Sequence, residues 1–243
     1  MSLSATVKVP ETFLCVAGEI FLPTGQGALW WPSERVLIVS DLHLEKGSSF
    51  ARRGQLLPPY DTSSTLGIVE SLVNAFRPET VVSLGDSFHD PHAEYRLGQK
   101  AVTRIRRLTD AVNWLWVEGN HDPVPPACLG GKGMREFRKG PCTFRHEPTG
   151  EAGEVAGHLH PVARVAGRGR SLRRKCFVTD GVSLILPSMG TLTGGLNVLD
   201  ANVADLFADG PMVFAINGTR VHHVKRAQLR PDRLDEARTK RNW

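Results

Sequence analysis

Four short apolar stretches of this chain each run directly into a cluster of Asp, His or Asn: VLIVSDLH (36–43), VVSLGDSFHD (81–90), WLWVEGNHD (114–122) and EVAGHLHP (154–161). This repetition constrains the fold more than any other feature. A run of four to six residues rich in Val, Ile, Leu or Trp reads as a buried strand, so each cluster begins where a strand leaves the core. In α/β sheets chemistry gathers in the loops beyond the carboxyl ends of strands. The chain is therefore expected to gather four distant loops on one rim, with His146 of FRHEP (144–148) as a fifth contributor.

The segments between these blocks set the architecture. ETFLCVAGEIFLP (11–23), ALWWP (28–32) and RVLIVSD (35–41) read as strands separated by the turn signals TGQG and PSE, an antiparallel entry into a sheet. Asp61 opens an amphipathic helix with Leu66, Val69, Val73 and Phe76 on one face and Pro78 closing it. A second helix is predicted over Tyr95 to Leu108, with Leu97, Ala101, Ile105 and Leu108 at helical spacing. After Pro123 the pattern changes to short strands. Alternation followed by a strand-rich half predicts an α/β fold, a two-sheet β-sandwich flanked by helices. With no internal repeat or low-complexity linker, a single domain spans 1–243, residues 1–35 being a strand meander and 225–243 a charged tail, frayed or a solvated helix.

Composition excludes several classes. At 243 residues, 23% charged and 41% hydrophobic, the chain has enough apolar material for a full core. No run approaches the roughly 18 apolar residues of a membrane span, and MSLSATVKVPETF lacks the basic start and apolar stretch of a signal peptide. Cys15, Cys128, Cys142 and Cys176 lie far apart with no C-x-x-C pair, which points to reduced thiols. The cytoplasm is the expected location. A formal net charge of +5 is compatible with a polyanionic partner without requiring one.

Taken singly, an Asp after a strand is commonly a turn or cap residue, and an isolated His146 is commonly a surface histidine. As an ordered set, D-x-H, G-D, G-N-H-D and G-H-x-H supply oxygen and nitrogen donors without sulfur. That suits Mn²⁺ or Fe²⁺ and not a structural cysteine–zinc site. Gly85, Gly119 and Gly157 would let backbones approach closely at a crowded centre. EVAGHLH (154–160) reads as a strand, so His158 and His160 face the same side, about 6.5–7 Å apart along it, one imidazole available to each of two neighbouring ions.

On these blocks the sequence resembles the calcineurin-like binuclear metallophosphoesterase superfamily, over residues 36 to 161 and by connectivity the whole chain. The resemblance implies two divalent ions, Mn²⁺ foremost with Fe²⁺ or Zn²⁺ as alternatives. Asp41, His43 and His160 would hold the first, Asn120, His146 and His158 the second, and Asp86 would bridge both. A hydroxide between the ions would be the nucleophile, and the small net positive charge left would attract a phosphodiester. His121 would be the non-ligand catalytic histidine, with Asp122 fixing its tautomer. His89 stays open between a supporting contact, a substrate contact and a turn residue.

KGSSFARRGQLLPPYDT (46–62), LGDSFHD and the N-terminal meander are similar to one bacterial branch, the ligase-associated DNA damage response endonucleases called PdeM. That likeness implies a manganese-dependent enzyme of DNA repair that cuts DNA, single-stranded above all, associated with a DNA ligase and a helicase. Arg52 and Arg53, Arg135, Arg138 and Lys139, and the run RGRSLRRK (168–175) could track phosphates; the last reads equally as a solvated hairpin loop. Trp30, Trp31, Trp114 and Trp116 could stack on bases, although alternation puts Trp114 and Trp116 on one strand face, as core residues. The alternatives are a phosphodiesterase of cyclic or dinucleotide substrates, a phosphomonoesterase and a non-enzymatic scaffold.

Overall fold

The computed structural model describes residues 12–124, 127–167 and 169–232. The chain enters as an antiparallel meander, β1 (Leu14–Val16), β2 (Glu19–Pro23), β3 (Leu29–Trp31) and β4 (Val36–Val39), then continues through the short helix α1 (Lys46–Ala51) and the longer α2 (Asp61–Phe76). Strand β5 (Thr80–Leu84), helix α3 (Gln99–Ala111), β6 (Asn113–Val117) and β7 (Lys132–Met134) complete a seven-stranded sheet in the order β1 to β7. The meander is antiparallel and β4, β5, β6 and β7 are parallel.

The second sheet is built from β8 (Phe137–Lys139), β9 (Cys142–Arg145), β10 (Glu154–Ala156), β11 (Val162–Gly167), β12 (Arg170–Thr179) and β13 (Leu184–Ile185). After the single-turn α4 (Ala201–Ala204) come β14 (Met212–Asn217), β15 (Arg220–Val224) and β16 (Leu229–Arg230). The order is β15-β14-β12-β13-β10-β9-β8, with β11 on β12 and β16 on β11.

Period-two alternation sorts the core into layers. Leu37, Val39, Trp114 and Trp116 face α2 and α3, beside Leu66, Val69, Leu72 and Ile105. Val36, Ile38, Leu115 and Val117 face the second sheet and meet Phe144, Val155 and Phe177. The far face of that sheet is covered around α4 by Val198, Val203 and Phe207. All four tryptophans considered as stacking platforms are buried, Trp30 and Trp31 on opposite faces of β3. They are core, not base platforms.

Pairing direction positions the site. Parallel β4, β5 and β6 end on one side of the first sheet, and parallel β9, β10 and β13 end together in the second. Met189 and Gly190, beyond β13, donate backbone N–H groups to the carbonyls of Ser40 and Asp41 beyond β4, at 2.9 and 3.0 Å, tying the two rims together.

Several expectations are corrected. The stretch 11–23 is not one strand but a hairpin, turning at Ala17 and Gly18 with φ of 49° and 85°, the two-residue turn that twisted strands favour; residue 11 lies outside the described residues. The second helix starts at Gln99, not Tyr95. Residues Ala93–Arg96 form a separate 3₁₀ turn, and Gly98 is extended at φ −66°, ψ 150°. The 168–175 run is not a hairpin loop: from Arg170 it is strand β12, in register with β11 (Gly167 opposite Arg170), while Arg168 lies outside the described residues. The segment from 225 opens with a 3₁₀ turn, and Leu229 pairs with Val165; residues 233–243 lie outside the described residues.

Candidate metal centre

Asp41 and His43 follow β4, Asp86 follows β5, Asn120 follows β6, His146 follows β9, and His158 and His160 follow β10. Five of these seven have positive φ: Asp41 52°, His43 43°, Asp86 45°, His158 68° and His160 46°. Such conformations are costly for residues other than Gly and cluster where the surroundings over-determine them. They also replace the alternation argument for His158 and His160. Strand β10 stops at Ala156, so left-handed backbone, not strand pleat, aims the two rings.

The rings nonetheless diverge to two neighbouring groups of donors. In the first, His160 Nε2 lies 3.1 Å from Asp41 Oδ1 and 3.2 Å from His43 Nε2. In the second, His146 Nε2 lies 2.9 Å from Asn120 Oδ1, 3.1 Å from His158 Nδ1 and 3.4 Å from Asp86 Oδ1. The other carboxylate oxygen of Asp86 is 3.8 Å from His43 Nε2, so this side chain sits between the groups. Asp41, His43, Asp86 and His146 are almost wholly buried.

The protein consumes the outward protons. His146 Nδ1–H donates to the Leu84 carbonyl at 2.9 Å, which turns Nε2 toward the acceptor Oδ1 of Asn120 and the carboxylate of Asp86, where a proton or a cation has to sit. Asp41 Oδ2 accepts from the Ser40 hydroxyl, and His158 N–H donates to both carboxylate oxygens, at 3.1 Å to Oδ2 and 3.3 Å to Oδ1, with Oδ1 also facing His160. Acceptors packed this closely require positive charge among them. Donors bound to one ion at about 2.0–2.2 Å lie about 3–3.5 Å apart, the spacing found here. The donor set fits a pair of divalent cations.

Electrostatics agree. Burial opposes the charge on Asp41, yet His160, His146 and His43 hold its carboxyl below the ordinary range. Asp86 is likewise held down against burial by its hydrogen bond to His146. Burial disfavours protonation of His146, but Asp86 and Asp41 outweigh it and raise the ring to about 9. Burial and His160 push His43 well down. The two carboxylates create a field that stabilises positive charge at this spot.

The three glycines are where the crowding demands them. A Cβ on Gly119 would lie 2.2 Å from the backbone nitrogen of Asp86, one on Gly157 2.1 Å from Ser40 Oγ, and one on Gly85 2.5 Å from the His146 ring. Gly119→Ala is expected to displace Asp86 and cost about 1–3 kcal/mol; urea unfolding together with metal titration checks both effects.

His121 stands beside the donors and is more open, its side chain 37% exposed against 3% for Asp86. Its backbone N–H donates to Asp86 Oδ1 at 2.9 Å. Its Nδ1–H donates to the His89 carbonyl at 2.8 Å, which leaves Nε2 for the cleft. Asp122 therefore does not fix the tautomer of His121, as the sequence suggested. Its Oδ2 accepts from Phe88 N–H at 3.1 Å and its Oδ1 is buried with no hydrogen-bond partner, and burial with the adjacent Asp86 charge lifts its carboxyl to about 7. Asp122 is a strut between the β5 and β6 loops. His89 is a supporting contact that also lines the cleft: its ring stacks on His121 at 5.3 Å, and its Nδ1 is 3.4 Å from His43 Nδ1.

The donors floor a cleft of about 560 Å³ whose walls carry Lys46, Arg173 and the segment Gly194–Leu196. Arg52 is not among its lining residues; it is exposed at the end of α1, where the helix turns away. The lysine and arginine that do line it are Lys46 and Arg173. Lys46 lies three residues past His43, and Arg173 lies within the basic run, where alternation along β12 would have singled it out. Lys175, read from sequence only as part of the basic run, instead braces the loop that bonds to Asp41: its ammonium donates to the carbonyls of Ser188 and Gly190 and to Thr193 Oγ1 at 2.8–3.0 Å.

The family model for calcineurin-like phosphoesterases matches residues 34–218, more than half of the chain. The chain belongs to the calcineurin-like phosphoesterase family. As members of this family use a pair of divalent metals, the groups Asp41–His43–His160 and Asp86–His146–His158 are what this phosphoesterase would be expected to carry; a third group, His43, Asp86 and His121, shares a member with each. Among solved structures, the phosphoesterase is similar to the Pseudomonas putida nuclease MPE, with a TM-score of 0.68 and 27% identity over 88% of this chain and 99% of that one. No curated protein matches it. No helix of the described residues is long and apolar enough to cross a membrane.

Proposed function

We propose that this calcineurin-like phosphoesterase is a nuclease that hydrolyses phosphodiester bonds of DNA, single strands above all, with Mn²⁺ as its metal and repair as its setting, in association with a DNA ligase and a helicase. The observation that carries the reading is the pair of donor groups sharing Asp86 on the floor of an open cleft, with His121 beside them. The likeness to a nuclease over nearly its full length supports the choice of a nucleic acid.

Asp41, His43 and His160 would hold one ion, Asn120, His146 and His158 the other, and Asp86 both. When bound, the metals supply Lewis acidity, an activated water and charge neutralisation for an in-line displacement. The chain does the rest. Lys46 and Arg173, which both line the cleft, attract the phosphate with their positive charge. Asp86 and the His89 carbonyl fix His121 by its backbone and by Nδ1, so that protonated Nε2 delivers its proton to the leaving oxygen as the P–O bond breaks.

The test incubates metal-stripped protein with labelled single- and double-stranded DNA, and with cyclic dinucleotides, across a panel of divalent ions. Mn²⁺-dependent cleavage of the single strand is expected. A fully metal-loaded protein that leaves DNA intact and turns over cyclic dinucleotides would establish the small-molecule alternative instead.

A further inference from the structure

Both tyrosines of the chain are exposed, Tyr60 at 69% and Tyr95 at 80%, whereas the four described tryptophans are buried. The two lie far apart in sequence but flank the same element, helix α1. Tyr60 precedes Asp61, whose carboxylate accepts the N–H of Gly47 at 2.8 Å, next to the cleft residue Lys46. Tyr95 precedes Arg96, whose Nε donates to Ser48 at 2.9 Å, and Arg96 also neutralises Asp90. Helix α1 itself leans on the cleft, with the Phe50 ring 5.7 Å from that of His89. Beyond its end the exposed Arg52 and Arg53 continue the surface to Leu56, which is 89% exposed.

An exposed tyrosine alone is ordinary. Two of them, each next in sequence to a residue bonded to α1, together with two arginines at the end of that helix, whose first residue lines the cleft, form the combination that binds unpaired nucleic acid: rings for base faces and guanidinium groups for the backbone. A duplex, whose bases are stacked inside, could not use the rings.

We infer that the surface around α1, made by Tyr60, Tyr95, Arg52 and Arg53, is a binding platform for the nucleotides of a single strand flanking the scissile phosphate. This rests on the nuclease reading and adds to it a physical basis for preferring single strands. The platform lies outside the cleft, so a substrate with one phosphate and no bases does not reach it.

The experiment compares the full chain with a Tyr60→Ala/Tyr95→Ala variant, both loaded with Mn²⁺. Binding of a fluorescent 12-nucleotide single strand, and of an abasic strand of equal length, is read by anisotropy in a His121→Ala background. Hydrolysis of bis-p-nitrophenyl phosphate is read in the native background. Each stacked base is expected to account for about 5- to 150-fold in affinity, so the double variant should bind the normal strand at least about tenfold more weakly. It should bind the abasic strand as the parent does and hydrolyse the small diester unchanged. Equal binding of the normal strand by parent and variant overturns the platform while leaving nuclease activity standing. A parent that hydrolyses the small diester but neither binds nor cuts DNA overturns the nuclease reading and the platform with it. Self-association of the parent that the substitutions abolish, with strand binding unaltered, would assign the surface to a second copy of the chain and also overturn the inference.

Discussion

Asp86→Asn is expected to abolish phosphodiester hydrolysis and lower metal occupancy while leaving the protein folded. The substitution keeps an oxygen in place to accept the N–H of His121, now made at 2.9 Å, so no buried donor is orphaned. What it removes is the negative charge between the two donor groups, where Asp86 faces His146 at 3.4 Å and His43 at 3.8 Å. An amide offers one oxygen in place of two and no charge to offset two divalent ions. Outer partners of metal ligands already account for about 10–100-fold in affinity or activity, so loss of the shared carboxylate should exceed about 100-fold. Metal content per chain, circular dichroism and turnover of a small diester, measured on one preparation, check the three parts. Undiminished occupancy and turnover would show that Asp86 is not shared.

His121→Ala should separate chemistry from metal binding. The ring makes no hydrogen bond to the seven donors: its Nδ1 side is held by the His89 carbonyl, and its Nε2 lies 3.9 Å from Asp86, the ring being within 4.8 Å of the donor atoms of Asp86 and His43. The metals should stay bound while cleavage of DNA falls about 10²–10⁴-fold, the range for loss of a positioned general acid. The deficit should depend on the leaving group. A deoxyribose alkoxide needs a proton as it departs, whereas p-nitrophenolate does not, so hydrolysis of bis-p-nitrophenyl phosphate should fall much less. Equal losses on both substrates would make His121 a stabiliser of charge on the phosphate in place of a proton donor. Loss of metal in the variant would place it among the ligands.

The strands that carry the blocks were legible because their apolar runs end abruptly in Asp, His or Asn, and a buried strand has few other ways to end. The helix from Asp61 was legible for the same reason: Leu66, Val69 and Val73 fall on one buried face. The aim of the site residues was not. His158 and His160 were brought to the centre by positive φ angles of 68° and 46° beyond a three-residue strand, a backbone choice made by tertiary contacts that a side-chain pattern does not encode. Asp122 next to His121 suggested a hydrogen-bonded pair, but adjacent residues in a loop diverge, and a backbone carbonyl took the role. Arg52 was nominated for its nearness in sequence to His43, whereas α1 carries it to the surface and leaves Lys46 at the cleft. Arg173 and Gly194–Leu196 come from the far sheet, so distance along the chain hid them. Edge strands such as β7, with the sequence KGM and only Met134 packed partly against the core, left no pattern to read.

Each of these features depends on seven side chains from five loops holding two cations within reach of a single carboxylate. Anomalous diffraction from crystals soaked in Mn²⁺ measures that arrangement directly. Two peaks are expected, one among Asp41, His43 and His160 and the other among Asn120, His146 and His158, about 3.5–4 Å apart as in paired-metal hydrolases, with Asp86 touching both. One peak, or two with Asp86 bound to neither, would contradict the account.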